Sequence, residues 1–244
     1  MMPEYLALLA VGIFVVALLY SSVGHAGASG YIAVMSLLSV APEAIKPTAL
    51  TLNILVATIA ALQFWRAGHF TWRLFWPFAI LSVPFAFLGG YLNLPTQYFK
   101  ILLGIILIYS AAHLVLRPPP EQEPRRPSLG KSMASGSSIG FLSGLTGTGG
   151  GIFLTPLLLF MHWARAKQAA AVSALFILVN SAAGLAGNLS GTRSYPAFAL
   201  VLVAAAGTGG LIGSYFGSRR FDPAVIKRAL ALVLLIAGSK LIFT

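Results

Sequence analysis

The sequence predicts an all-α polytopic membrane protein made of two inverted repeats. Each repeat holds a Gly-rich broken or re-entrant helix element plus about three full spans, for about 8–10 membrane segments in total. Three observations predict this. The 244 residues are 58% hydrophobic and only 9% charged, with a mean hydropathy of +0.88, whereas about a quarter of a soluble domain is charged. Two apolar runs are interrupted by small, glycine-rich stretches, Gly24-His25-Ala26-Gly27-Ala28-Ser29-Gly30 and Gly147-Thr148-Gly149-Gly150-Gly151. The basic residues segregate to one side of the membrane only if the two halves are inverted.

Leu6–Tyr20 is the first apolar helix. Its only charged flank is Glu4, so it reads as a retained helix rather than a signal peptide. The first break follows, and then a short apolar segment, Tyr31–Val40. Pro42 and Pro47 bracket a polar connection with Glu43 and Lys46, and Ala49–Phe64 is a full span carrying Asn53. Trp65-Arg66 and Trp72-Arg73 flank a loop with Gly68 and His69, an aromatic and basic pairing typical of a membrane interface. Leu74–Leu92 and Tyr98–Leu116 are spans joined by a turn at Leu94-Pro95, which makes residues 1–116 the first repeat. The proline-rich, basic stretch 117–131 is a linker.

Residues 132–244 repeat the plan. Ser132–Leu145 leads into the second break, Ile152–Met161 is the short segment, and His162–Gln168 is the connection. Ala169–Leu189, with Asn180 inside it, Tyr195–Phe216 and Val225–Phe243 are spans. The internal spacing supports the repeat: Gly30 precedes Lys46 by 16 positions and Gly151 precedes Lys167 by 16. Pro95 and Lys100 match Pro223 and Arg228 in the same way.

With an even number of crossings per half, the 16 Lys and Arg residues divide 8 to 8 across the membrane. With an odd number, the halves are inverted and the division becomes 12 to 4, leaving only Lys46, Lys100, Arg193 and Lys240 opposite the linker. The positive-inside rule selects the second arrangement, with a cytoplasmic linker and an N-terminus on the periplasmic or extracellular side.

A helix broken inside hydrocarbon leaves backbone groups that cost several kcal/mol each unless they line a cavity or are buried in protein. The segments after the breaks present free N–H groups and a partial positive charge, and glycine lets a ligand approach the backbone closely. In an inverted repeat these two N-termini converge near the midplane and form an anion site without a buried Lys or Arg. The candidate binding residues are Gly24, His25, Gly27, Ser29 and Gly30 at the first break. At the second they are Thr146, Gly147, Thr148, Gly149, Gly150 and Gly151. Asn53 and Asn180 join them either as anion contacts or as interhelical hydrogen-bonding groups. Gly209, Gly213 and Gly217, and Gly140 and Gly144, have the four-residue spacing of close helix packing and are read that way.

Several classes are disfavoured. The net charge of +11 lies in short connections, which speaks for topology rather than nucleic acid. There is no cysteine, and the four histidines are scattered without paired carboxylates, so no metal site, cofactor or catalytic grouping is expected. Glu4, Glu43, Glu121, Glu123 and Asp222 all lie at ends or in connections, so no span offers a carboxylate proton relay. The glycine run lacks the Gly-Lys-Ser/Thr ending of a nucleotide-binding loop. Transport is then passive, or coupled through His25 or the anion's own protonation. A membrane scaffold, whose breaks only pack, is the alternative outside transport.

The run Gly147-Thr-Gly-Gly-Gly-Ile-Phe-Leu-Thr-Pro-Leu157, the two short-helix repeats and the closing stretch Gly217–Leu241 resemble the sulfite exporter TauE/SafE family of permeases. Ser22-Val-Gly-His-Ala-Gly-Ala-Ser-Gly-Tyr31 resembles a variant of the family's first motif and departs from its plainer G-x-G-G-G form. The resemblance implies a bacterial inner-membrane permease that exports sulfite or an organosulfonate such as sulfoacetate, by alternating access around a midplane site. Import of, or a channel for, sulfate, thiosulfate or another small anion is the alternative. The implied partners are a small inorganic or organic sulfur oxyanion and the lipid bilayer, with a homo-oligomer left open.

Overall fold

Backbone polar groups in hydrocarbon must be paired internally, and helices do this locally. The computed structural model describes residues 3–92, 97–116, 123–192 and 202–243, and these are helical almost throughout. They form α1 (Pro3–Ser21), α2 (Ala28–Leu37), α3 (Pro42–Arg66), α4 (Trp72–Tyr91), α5 (Gln97–Leu116), α6 (Leu129–Thr146), α7 (Gly151–Phe160), α8 (Ala166–Thr192), α9 (Val203–Tyr215) and α10 (Pro223–Phe243). A π-helical turn, Phe216–Arg220, prolongs α9. The expected turn at Leu94-Pro95, the start of the linker and the first residues of the Tyr195–Phe216 span lie outside the described residues.

Among the described residues α3, α4 and α8 are each long and apolar enough to cross a membrane. The chain is a multi-pass membrane protein. On α1, Leu8, Val11, Val15 and Leu19 form one exposed apolar face, while Leu9, Ile13 and Ala17 are buried on the other. That pattern, apolar on both faces, is how a helix looks when its outer solvent is lipid. Trp65 and Trp72 are exposed at the α3–α4 turn, with ring centroids 5.7 Å from Phe70 and 5.3 Å from Phe75 respectively.

Two connections read from the sequence are helical instead. Pro42 is the first residue of α3, where a missing N–H costs nothing, so the helix starts before the expected polar connection ends. Pro47 withdraws only the bond to the carbonyl of Glu43, an exposed residue. Likewise α8 begins at Ala166 and α6 at Leu129, inside stretches read as connection and linker. Ser29 and Gly30, read as part of the first break, lie in the first turn of α2.

The breaks are hairpin tips. Gly12 faces Val34 and Gly30 faces Val16, so α2 folds back along α1. Gly150 faces Ser143 and Ile139, and α7 then returns packed on α8, with a cavity between it and α6 lined by Ser135, Ser138, Phe153 and Leu157. At 10 residues each, the returning arms are about 15 Å long, half the hydrocarbon thickness.

The helices interlock through small residues. Gly136, Gly140 and Gly144 of α6 lie directly on the backbone of Phe78, Ser82 and Ala86 of α4. Gly209, Gly213 and Gly217 lie in the same way on Phe14, Leu18 and Ser22 of α1 and the turn after it. Both pairs therefore run parallel, and any side chain at these positions would collide with a carbonyl. Leu50 faces Gly184, Asn53 faces Ser181, and Phe64 packs with Ala170, so α3 and α8 are antiparallel. Gly104 against Gly238 and Ile242, with Ile108 against Gly238, makes α5 and α10 antiparallel as well.

Candidate functional site

At the tip of the α6–α7 hairpin the chain turns through Gly147 (φ 75°), Gly149 (φ 79°) and Gly150 (φ 82°). These are left-handed conformations that cost an L side chain about 1–2 kcal/mol each. Gly150 caps α7 with no side-chain bond. Gly147 N–H donates to Ser143 O at 2.8 Å, and Phe153 and Leu154 both donate to Gly150 O at 3.1 Å. The five amides between them, Thr148 to Ile152, make no hydrogen bond among the described residues. Successive free N–H groups at such a turn form a concave donor surface for an anion.

Asn53, near the middle of α3 and fully buried, faces this tip. Its Nδ2 donates to Thr148 O at 3.4 Å and to Ser181 Oγ at 3.2 Å, and its Oδ1 has no partner. A Cβ on Gly149 would come within 2.7 Å of Asn53 Nδ2 and 2.9 Å of Ser181 Oγ, so only glycine admits this approach. Thr146 Oγ1 donates to Leu142 O at 2.7 Å and lies 2.9 Å from Thr148 Oγ1. Ser143 Oγ, beside Gly150, is buried without a partner.

The α1–α2 tip meets this site through His25, whose ring edge borders Gly151. His25 Nε2 lies 3.3 Å from Thr155 Oγ1, which donates to Ser173 Oγ at 2.7 Å. His25 Nδ1 is buried without a hydrogen-bond partner. Gly24 (φ 78°) lies on the backbone of Ala170. The amides of Ala26 to Gly30 likewise make no hydrogen bond among the described residues. Tyr31 folds over Gly27 and donates to Ala26 O at 2.5 Å, Val16 and Tyr20 pack on Gly30, and Ser29 Oγ donates to Tyr20 Oη at 3.1 Å.

Asn180 points elsewhere. Its Nδ2 donates to Ser82 Oγ on α4 at 3.1 Å and to Phe176 O at 2.8 Å. The structure thus gathers His25 and Asn53 at the second break, and places Asn180 in the seam between α8 and α4. Sequence reasoning missed Ser181, Ser143, Thr155 and Ser173. Their only signal is a small polar side chain inside an apolar span.

A helical membrane protein with irregular, hydrogen-bonding backbone and buried polar side chains inside its core has the architecture of a membrane transporter. The family model described as "Sulfite exporter TauE/SafE" matches residues 8–241, and the chain belongs to that family. It is 41% identical over 240 residues to the probable membrane transporter protein y4hK of Sinorhizobium fredii, covering 96% of this chain and 97% of that one. It is 28% identical over 255 residues to the probable membrane transporter protein YjnA of Bacillus subtilis, covering 97% and 99%. No solved structure matches.

Proposed function

We propose that this transporter moves a small sulfur oxyanion, sulfite or an organosulfonate, outward across the bacterial inner membrane. The observation that carries this reading is the row of unpartnered amides from Thr148 to Ile152, backed by buried Asn53. Amide donors suit a small anion that must be released again, because they hold it less strongly than an ammonium or guanidinium group in direct contact would. The unpartnered Asn53 Oδ1 adds one acceptor, which suits the hydroxyl of a protonated oxyanion such as hydrogensulfite.

Several features support two inverted repeats, residues 1–116 and 132–244, and alternating access between them. In the first half α1 and α3 run one way and α4 the other; their counterparts α6, α8 and α9 run opposite to them, as the contacts of Gly90, Gly136, Gly184 and Gly209 indicate. Arg66, Arg73, Lys131, Arg165, Lys167, Arg219 and Lys227 then fall at one end of the bundle, and Lys46 and Lys240 at the other. The positive-inside rule puts the first end in the cytoplasm and the N-terminus outside.

The test is flux of sulfite into proteoliposomes containing the purified protein, with sulfate, sulfoacetate and thiosulfate as competitors. Saturable sulfite flux, abolished by Thr148→Leu or Gly150→Leu in folded protein, is the expected result. Flux of a competitor alone would replace the substrate. No anion flux from folded protein would overturn the reading in favour of a scaffold.

A further inference from the structure

We infer that Lys46 and Lys167 are the cationic entrance residues of the pathway, one at each membrane face. This rests on the anion-transport reading above. Each lysine belongs to one half, Lys46 at the hairpin tip of the other half and Lys167 one helical turn from the residue that meets the other tip. The Lys46 stem lies over Gly147, 3.0 Å from where its Cβ would be, at the α6–α7 tip. Lys167 lies one helical turn before Ala170, whose backbone carries Gly24 of the α1–α2 tip.

The two ammonium groups mark opposite ends of the antiparallel pair α3 and α8. Lys46 is 18 residues before Phe64, which packs with Ala170, itself 3 residues after Lys167. At the helical rise per residue this separates the lysines by about 30 Å, the thickness of the hydrocarbon core.

Lys167 is the second residue of α8, where the macrodipole repels a cation and attracts an anion, and Lys46 lies one turn further into α3. Neither has a carboxylate partner among the described residues. Lys46 is half-buried and donates only to Gly90 O at 3.3 Å. Lys167 lines a cavity of about 510 Å³ with Arg165, His69, Thr71 and Gln168, and no acid lines it among the described residues. A cation near a helix N-terminus, without a carboxylate partner among the described residues, is placed for an anion entering the pathway. Its attraction and that of the helix N-terminus then act together.

The chain has no cysteine, so single thiols can be placed by Lys46→Cys and Lys167→Cys in otherwise unaltered protein. Each variant is expected to raise the KM for sulfite about tenfold or more, the loss expected when a charge-assisted contact is removed. The cationic, membrane-impermeant reagent 2-(trimethylammonium)ethyl methanethiosulfonate should return KM to within about threefold of wild type, and the anionic 2-sulfonatoethyl reagent should not. In sealed vesicles of defined orientation the two thiols should react from opposite faces, and sulfite should slow both reactions.

Labelling from the same face, or equal effects of the two reagents on KM, would overturn the proposal. So would unchanged KM with a lowered melting temperature at position 46, which would make that lysine a cap on α4. Lys167→Cys alone tests the idea if the other variant fails to fold, because the Lys167 side chain makes no hydrogen bond among the described residues. Wild-type protein that moves no sulfite, with cysteine variants that still label from opposite faces, would overturn the sulfite reading and uphold the lysine placement.

Discussion

Replacing Gly149 by alanine tests the site at its most crowded point. The residue has φ +79°, and a Cβ there would lie 2.7 Å from Asn53 Nδ2, 2.8 Å from Ile177 Cγ2 and 2.9 Å from Ser181 Oγ. The left-handed backbone alone costs about 1–2 kcal/mol, and forcing a methyl into a filled core costs about 1–3 kcal/mol. Gly149→Ala should therefore destabilise the protein by about 2–5 kcal/mol, or drive the tip away from Asn53 and lower sulfite flux by about tenfold or more. Gly68→Ala isolates the backbone contribution, since Gly68 has φ +78° with no atom within 4 Å of its Cβ position. Melting of both variants in detergent, with proteoliposome flux for Gly149→Ala, measures the difference. A Gly149→Ala protein as stable as Gly68→Ala and with wild-type flux would refute the claim that the tip is seated on Asn53 and Ser181.

Asn53→Leu and Asn180→Leu should separate the two asparagines: the first abolishes sulfite flux. The second lowers the melting temperature through the loss of seam hydrogen bonds worth about 1 kcal/mol and leaves a measurable KM. Gly213→Ile drives a branched side chain into the carbonyl of Leu18; it should cost about 3 kcal/mol or more and leave little folded protein by size-exclusion chromatography. Thr155→Val leaves His25 Nε2 without its neighbour at 3.3 Å. The expected loss is about 1–3 kcal/mol for a buried polar group left unpaired, read as a lower melting temperature.

The sequence was most legible where physics is least ambiguous. Long apolar runs and the near absence of charge in them announce a helical membrane protein, and a glycine run inside one of them announces irregular backbone. The packing glycines were equally readable, because spacing of four residues puts Gly209, Gly213 and Gly217 on one face, and that face lies on α1. Helix starts were not readable at Pro42 and Ala166, since polarity suggested connections where a helix N-terminus tolerates both proline and charge. The split between Asn53 and Asn180 was also hidden. Both are single amides in apolar spans, and only the crossing of α8 with α3 and α4 shows that one faces the tip and the other a serine seam. At the first break the packing of Tyr31 on Gly27 and of Tyr20 on Gly30 was not readable either, since pattern alone assigns these aromatic residues to a core.

The exchange of packing partners between the halves also sets the order of biosynthesis. When α6 leaves the ribosome, α4 is already in the bilayer, and its row of carbonyls is ready for Gly136, Gly140 and Gly144. The first helix has no such partner. Its matching surface at Phe14, Leu18 and Ser22 must wait for Gly209, Gly213 and Gly217, almost the whole chain later. Until then that face of α1 stays unmatched, although Thr155 of α7 and Ala170 of α8 reach the α1–α2 tip before α9 is made. Truncation anywhere before α9 therefore leaves this face of α1 without its glycine partner.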